Sequence, residues 1–424
     1  MIHEHVVCPF CGCLCDDLEV TVEDGKVVNT KRGCIIAKSK FMNHDRDRAK
    51  PMLRKDDELI GVSIEEAIDR AAEILKSADH PLIYGLSSTE CDAQRAATEL
   101  AELVGGTIDN TASVCHGPTL ASVQAIGVVK CTLGEIKNRA DLVIFWGCNP
   151  GEAHMRHFLR YSVLSKGLFT QEGRKDRTVI VVDVRENAST KLADIFLKIR
   201  PNSDFEIISA LRAAIKGHEV GDVAGVAGGT IKEVAEKMKS CKFGVLFFGL
   251  GLTMSKGKHM NIDAALSLVR DLNDYTKFAM NPMRGHFNVA GANEVLIWQT
   301  GYPYSVNFSR GYPRYNPGEF SAVDVLSRKE CDAALIIAAD PLSSFPLRAS
   351  EHLAKIPTIV IDPKNSMTSL VAEVVIPTAM VGVECEGTAY RMDCIPIRLR
   401  KVVEPEFPSD KEVLEEIIEK VKAG

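Results

Sequence analysis

The sequence predicts a multidomain α/β protein built on mostly parallel, helix-covered sheets, and three observations carry that expectation. Short apolar runs at 81–86, 141–147, 178–182, 243–249, 333–338 and 358–361 alternate with stretches of helical period. The 424-residue length exceeds the roughly 100–200 residues of an ordinary domain. One arrangement also occurs twice. Asp141-Leu-Val-Ile-Phe-Trp-Gly147-Cys-Asn149-Pro150 precedes a strand ending in Asp183, and Asp332-Ala-Ala-Leu-Ile-Ile-Ala-Ala-Asp340-Pro341 precedes a strand ending in Asp362. Two such halves predict two doubly wound units related by pseudo-symmetry.

Composition narrows the function. Hydrophobic residues at 46% and charged residues at 25% exclude a disordered or collagen-like chain. A net charge of -6 gives no general attraction to nucleic acid or to an anionic membrane. No run approaches the roughly 18 apolar residues of a membrane helix, and the start, Met1-Ile2-His3-Glu4-His5, lacks the pattern of a secretory signal. A cytoplasmic location is therefore expected.

Taken in order, Leu18-Glu19-Val20-Thr21-Val22 alternates apolar and polar residues, Asp24-Gly25 turns, and Lys26-Val27-Val28 resumes the strand, which predicts a β-hairpin. Ser63 can cap a helix whose first turn holds Glu65 and Glu66 and whose stripe is Ala67, Ala71, Ile74 and Leu75. The polar, aromatic stretch 298–320 shows neither periodicity and reads as a long functional loop packed over a site. Pro405 and Pro408 introduce a final Glu- and Lys-rich helix, read as a solvated surface helix.

Of 13 cysteines, Cys8, Cys11, Cys13, Cys15 and Cys34 crowd the amino terminus. In a cytosolic chain such crowding favours metal binding over disulfides. Cys8, Cys11, Cys15 and Cys34 form a C-x2-C-x3-C-x18-C pattern, three close thiolates and a distant one, as for the four corners of a 4Fe–4S cluster. A tetrahedral zinc site is the alternative. Cys13 is an uninvolved thiol or a substitute ligand. Lys38 is either a buried ammonium between cluster and a neighbouring cofactor or an ordinary surface lysine.

A second constellation is Thr111-Ala-Ser-Val-Cys115-His116-Gly-Pro-Thr119, where a predicted helix begins just after the thiol. The helix dipole would lower the Cys115 pKa and leave the thiol readily ionised. Cys115 is then a nucleophile with His116 as base, or a soft metal ligand with His116 in a separate proton role; adjacent residues rarely meet as a nucleophile–base pair, which favours the metal. In Asn281-Pro-Met-Arg284-Gly285-His286, flexible backbone can aim a guanidinium at a carboxylate. Asp183 and Asp362, each ending a strand, suit the ribose hydroxyls of two nucleotide-like ligands, although such junctions are also common turns.

These residues, with Trp146-Gly-Cys-Asn149-Pro-Gly-Glu-Ala-His154 and Glu386-Gly-Thr388-Ala-Tyr-Arg391, resemble the molybdopterin-dependent oxidoreductases. Within that superfamily they are most similar to the formate dehydrogenase group and the catalytic subunits of formylmethanofuran dehydrogenases. The resemblance implies tungsten or molybdenum held by a bis-pyranopterin guanine dinucleotide, with Cys115 as protein ligand and His116 and Arg284 beside it. It implies cofactor contacts from Lys38, Gly147, Asn149, His154, Asp183, Gly249, Asp340 and Asp362. Electrons would enter through a 4Fe–4S cluster on Cys8, Cys11, Cys15 and Cys34, and CO2 would be reduced reversibly to formate, the first step of methanogenesis from CO2.

The implied division is a cluster domain over 1–55 joined by 380–424, an α/β domain over 56–112 and 285–379, and a second over 113–284. Formate dehydrogenases of the group carry a further carboxy-terminal β-barrel domain that this chain, stopping soon after Arg391, is expected to receive from a partner subunit. Other expected partners are an amidohydrolase-like subunit and ferredoxin-like or polyferredoxin electron donors. Competing readings are a short formate dehydrogenase with another electron partner and a metal-free structural homologue; the retained Cys115, His116 and Arg284 disfavour the latter.

Overall fold

The computed structural model describes residues 1–423 and divides into two compact units. The first comprises Met1–Val114, His286–Arg391 and the carboxy-terminal segment from Pro396, and the second comprises Cys115–Gly285 with Met392–Ile395. In chain order, the first unit opens with β1 (Ile2–Val6), β2 (Leu18–Glu23) and β3 (Lys26–Lys31), an antiparallel sheet that contains the expected hairpin. It continues with β4 (Met52–Lys55), β5 (Glu58–Gly61), β6 (Pro81–Gly85) and β7 (Thr107–Asn110). The second unit supplies β8 (Leu142–Trp146), β9 (Thr178–Asp183), β10 (Ile195–Lys198), β11 (Phe243–Phe248) and β12 (Lys277–Pro282). The chain then returns to the first unit through β13 (Val306–Asn307), β14 (Arg314–Tyr315), β15 (Ala333–Ile337), β16 (Thr358–Ile361), β17 (Val374–Ile376), β18 (Gly387–Tyr390) and β19 (Pro396–Leu399).

The repeat seen in the sequence becomes a repeat of topology. The second unit is a parallel sheet in the order β12-β11-β8-β9-β10. At the heart of the larger sheet lies β7-β6-β15-β16-β17, also parallel throughout. The paired motif strands, β8 with β9 and β15 with β16, therefore hold equivalent central places.

Burial explains the continuous apolar runs. In the first unit Leu82, Tyr84, Ala334, Ile336, Val360 and Val375 pack into one core, while Ile83, Leu335, Ile337, Ile359, Ile361, Val374 and Ile376 pack into another. With period-two alternation, both faces of the sheet are covered, as parallel sheets require. In the second unit Leu142, Ile144, Trp146, Ile180, Val182 and Leu246 share a core with the helices Asp204–Ile215, Gly228–Ser240 and His259–Leu272. The Trp146 indole donates to buried Asp204 at 2.8 Å, so its polar edge is satisfied.

Ser63 caps the helix Ile64–Ser77 with a full capping box, and the expected stripe is buried. Two expectations change. The stretch 298–320 is not one loop: the helix Val289–Thr300 runs through Trp298, and β13 and β14 extend the sheet beside β7. Buried Asp109 organises the segment, accepting from the Ser305 amide at 3.0 Å and the Ala322 amide at 2.8 Å. The final helix, Asp410–Lys422, is not simply solvated, since it buries Val413, Leu414, Ile417 and Ile418 in the first unit's core.

Strand β6 ends on Gly85 at φ +122°, and a Cβ there would sit 2.0 Å from the Ile337 carbonyl oxygen. The Gly85→Ala variant is expected to lose about 3 kcal/mol or more of stability, since strain and clash add. A lowered thermal midpoint in calorimetry checks this; an unchanged midpoint refutes the close approach of β6 and β15.

Candidate active site

The site grows from the carboxyl ends of β8, β11 and β12, the end of a parallel sheet where ligands bind. Gly147 leaves β8 at φ +54°, and a Cβ on it would lie 2.8 Å from the Gly251 backbone. Reciprocally, a Cβ on Gly251 would lie 2.6 Å from the Gly147 Cα, and the Gly251 amide donates to the Gly147 carbonyl at 2.9 Å. Gly249 begins the short helix Leu250–Thr253, and a Cβ there would strike Cys148 at 2.7 Å. Only glycines allow these two strand exits to touch.

Cys115 and His116 precede the helix Gly117–Ile126, with His116 at its N-cap and Pro118 in its first turn. The Cys115 carbonyl accepts the Thr253 hydroxyl at 2.9 Å. Beyond β12 the Met283 amide donates to the Phe248 carbonyl at 2.8 Å, and Arg284 follows, 5% exposed. Burial pushes the Cys115 thiol up to about 11, although the Arg284 charge pulls it down. The expectation of a readily ionised thiol is thus corrected: burial outweighs the nearby Arg284 charge. A buried neutral thiol is a poor free nucleophile, but a coordinated metal deprotonates such a group outright, so the residue fits metal ligation.

Burial, reinforced by Arg284, pushes His116 down to about 3 and leaves it neutral. Its Nδ1 lies 3.3 Å from the Thr119 hydroxyl, and its buried Nε2 makes no full hydrogen bond among the described residues. Buried His154 places Nε2 2.8 Å from the Arg284 carbonyl oxygen, and burial holds its pKa down. His157, pushed to about 3 by burial, lies edge-on to Phe247 at 4.8 Å. The group therefore sets one guanidinium among neutral imidazoles, an arrangement that attracts a small anion and surrounds it with uncharged rings. His157 was missed by sequence reasoning; its signal was the His154-x2-His157 spacing.

In the first unit the Cys8 amide donates to the Cys15 carbonyl at 2.9 Å and the Leu14 amide to the Cys11 carbonyl at 3.1 Å. Leu14, at φ 37°, curls this loop. The Cys34 sulfur accepts the Ala37 amide at 3.5 Å as N-cap of the helix Ile35–Met42. Burial lifts the Cys8 thiol, and the nearby Cys11, Cys15 and Cys34 lift it further. A hydrogen bond from Cys13 brings Cys11 down to about 7 and pushes buried Cys13 up. Among the described residues no three His, Cys, Asp or Glu side chains converge closely enough to hold a single metal ion.

Lys38 is exposed on that helix, in line with the surface lysine of the two readings the sequence leaves open. The lysine whose charge lowers Cys11 is Lys40, also poised 5.4 Å from the Phe10 ring centre. Nothing in the spacing distinguished it, because the packing of Phe10 on Phe41 fixes its direction.

The repeated strand exits match in detail. Asn149 at φ -124°, ψ 74° and Asp340 at φ -126°, ψ 75° each cap a one-turn helix begun by proline. Asn149 accepts the Ser189 hydroxyl at 2.7 Å, and Asp340 accepts the Thr368 amide at 3.0 Å and hydroxyl at 2.6 Å. Asp183 accepts from the Val184 amide at 2.7 Å and the Asn187 side chain at 3.0 Å. Asp362 accepts from the Lys364 amide at 2.8 Å.

Burial, with the Asp410 and Asp340 charges adding to it, pushes Asp362 up to about 7. An unfolded aspartate titrates near about 3.9. Between these values the folded chain holds a proton that the unfolded chain has released, so stability falls as pH rises from about 4 to about 7. Thermal melts across this range are expected to show that decline flattened in Asp362→Asn; an identical slope counts against the assignment.

Known proteins resemble this chain over most of its length. Residues 49–420 match the molybdopterin oxidoreductase family. The chain is 54% identical to a subunit of the tungsten-containing formylmethanofuran dehydrogenase 2 of Methanocaldococcus jannaschii, over 99% of this chain and 98% of that one. The formyltransferase/hydrolase complex FhcABCD of Methylorubrum extorquens contains a similar fold, with TM-score 0.73 and 23% identity over 88% of this chain and 99% of that one. Acetylene hydratase from Pelobacter acetylenicus matches with TM-score 0.75 and 16% identity over 99% of this chain and 69% of that one.

Proposed function

Because the chain belongs to the molybdopterin oxidoreductase family, we propose that it is the catalytic redox subunit of a formylmethanofuran dehydrogenase, interconverting CO2 and formate. The observation that carries this reading is the grouping of Cys115, His116 and Arg284 at the exits of one parallel sheet. The residues fit the family's cofactor, since a buried thiol that a metal would ionise lies beside a glycine-built junction of strand ends. A bis-pyranopterin guanine dinucleotide, when bound, supplies a tungsten or molybdenum atom that exchanges two electrons. Cys115 would be its protein ligand, and Gly147, Asn149, Asp183, Gly249, Asp340 and Asp362 would line the two dinucleotide seats, with Lys38 on the cluster side.

Oxidising formate to CO2 releases one proton and two electrons. Arg284 pairs with the carboxylate and fixes its orientation. His116, kept neutral by burial beside Arg284, would pass the released proton on rather than retain it, and would return one for CO2 reduction. Cys8, Cys11, Cys15 and Cys34 would hold a 4Fe–4S cluster, which would supply electron transfer when bound. The 54% identical relative is named as a subunit, which supports work within a complex. The proposed companions are a subunit with the pterin-closing β-barrel, an amidohydrolase-like subunit and ferredoxin-like donors, in the cytoplasm. No helix among the described residues is long and apolar enough to cross a membrane.

Anaerobic purification tests the proposal. Tungsten or molybdenum, pterin guanine dinucleotide and about four irons per chain, with an amidohydrolase-like subunit copurifying, are expected. Zinc without pterin overturns it.

A further inference from the structure

We propose that His154 is a positioning residue for Arg284, holding the arginine's main chain so that its guanidinium keeps one bearing toward a bound carboxylate. The inference rests on the assignment of formate to Arg284 made above. A neutral imidazole has a single ring N–H, and facing a carbonyl oxygen that can only accept fixes it on Nε2 of His154. That N–H donates to the Arg284 carbonyl at 2.8 Å, from a side chain only 4% exposed. The contact differs from the cofactor role implied for His154 by resemblance.

The support behind the ring is itself tied down. His154 closes the one-turn helix Pro150–Ala153, its amide donating to the Pro150 carbonyl at 3.0 Å. The helix starts at Asn149, which accepts the Ser189 hydroxyl at 2.7 Å. Behind it the His157 amide donates to the His154 carbonyl at 2.7 Å, and the His157 ring packs against Phe145 of β8 and Phe247 of β11. Arg284 lies between two main-chain bonds, the Met283 amide to Phe248 at the end of β11 and its own carbonyl to His154. His154 thus links the exit of β8 to the exit of β12, on either side of β11. Without the imidazole the buried carbonyl loses its donor, and a small drift of the following backbone misaims a forked cation.

The test uses the intact complex with His154→Phe, His154→Asn and His154→Gln, each checked for unchanged tungsten or molybdenum and iron. The phenylalanine variant is expected to raise KM for formate about tenfold while kcat stays within about threefold, the pattern of lost ground-state binding. The inhibition constant of nitrate, a planar anion, should rise in parallel. Asn, too short to reach the carbonyl, should behave like Phe, whereas Gln, whose amide can donate at that distance, should restore both constants to within about threefold. If Gln and Phe are equally impaired, or kcat falls while KM holds, the positioning role is overturned; should the Phe variant not assemble, the contrast between Asn and Gln decides. Arg284→Ala separates the two claims. If it leaves formate and nitrate affinity intact, the formate assignment fails; if it weakens both while His154→Phe does not, only the positioning role fails.

Discussion

Replacing Arg284 by alanine is expected to lower kcat/KM for formate oxidation by about a thousandfold, assayed in the intact complex with an artificial electron acceptor. Removing a single neutral donor from a buried oxyanion site costs about a hundred- to thousandfold, and a full charge with two parallel donors is worth at least the upper end. No neighbouring imidazole replaces it, because burial keeps His116, His154 and His157 neutral. Arg284→Lys retains the charge as a single point and loses the fork, so a smaller fall, about ten- to a hundredfold, is expected. Full activity in Arg284→Ala would remove the anion-binding role.

The second large effect concerns the amino-terminal thiols. Cys15→Ala is expected to abolish the cluster, with iron falling from about four per chain to near zero and the paramagnetic signal of the reduced cluster lost. Cys13→Ala is expected to keep its iron. The distinction rests on the C-x2-C-x3-C-x18-C spacing, which leaves Cys13 out; Cys13 hydrogen-bonds to the Cys11 sulfur. A hydrogen bond to a cluster sulfur stabilises the reduced, more negative state. Its loss in Cys13→Ala should lower the reduction potential by on the order of tens of millivolts. Iron lost from the Cys13 variant and retained by the Cys15 variant would reverse the assignment.

Much of this architecture was legible in the sequence because it rests on local pattern. The runs that became β6, β8, β9, β11, β15 and β16 are apolar on both faces, and the two Asn/Asp-Pro exits announce the repeat. The helix through Trp298 was hidden because Ala290, Gly291, Ala292 and Asn293 are all buried, leaving no polar face to mark its period. Site chemistry was legible as residue types but not as states. The spacing before Gly117 suggested an ionised Cys115, whereas its burial depends on how the chain folds around it. Likewise Lys40 rather than Lys38 influences the thiols, and the partner of His154 is a carbonyl 130 residues away.

The near-identical torsions at Asn149 and Asp340 mean that the two halves present the same shape with different formal charge: the first cap is neutral, and hydrogen bonds from Ser343 and Thr368 outweigh burial to keep the second ionised. A duplicated scaffold has in this way become electrically lopsided. Two copies of one polyanionic ligand, seated at these exits, would meet a neutral cap at one and a carboxylate at the other, a difference that favours the Asn149 seat. Charge-swapping Asn149 and Asp340 would interchange that preference while leaving the backbone that frames each seat in place.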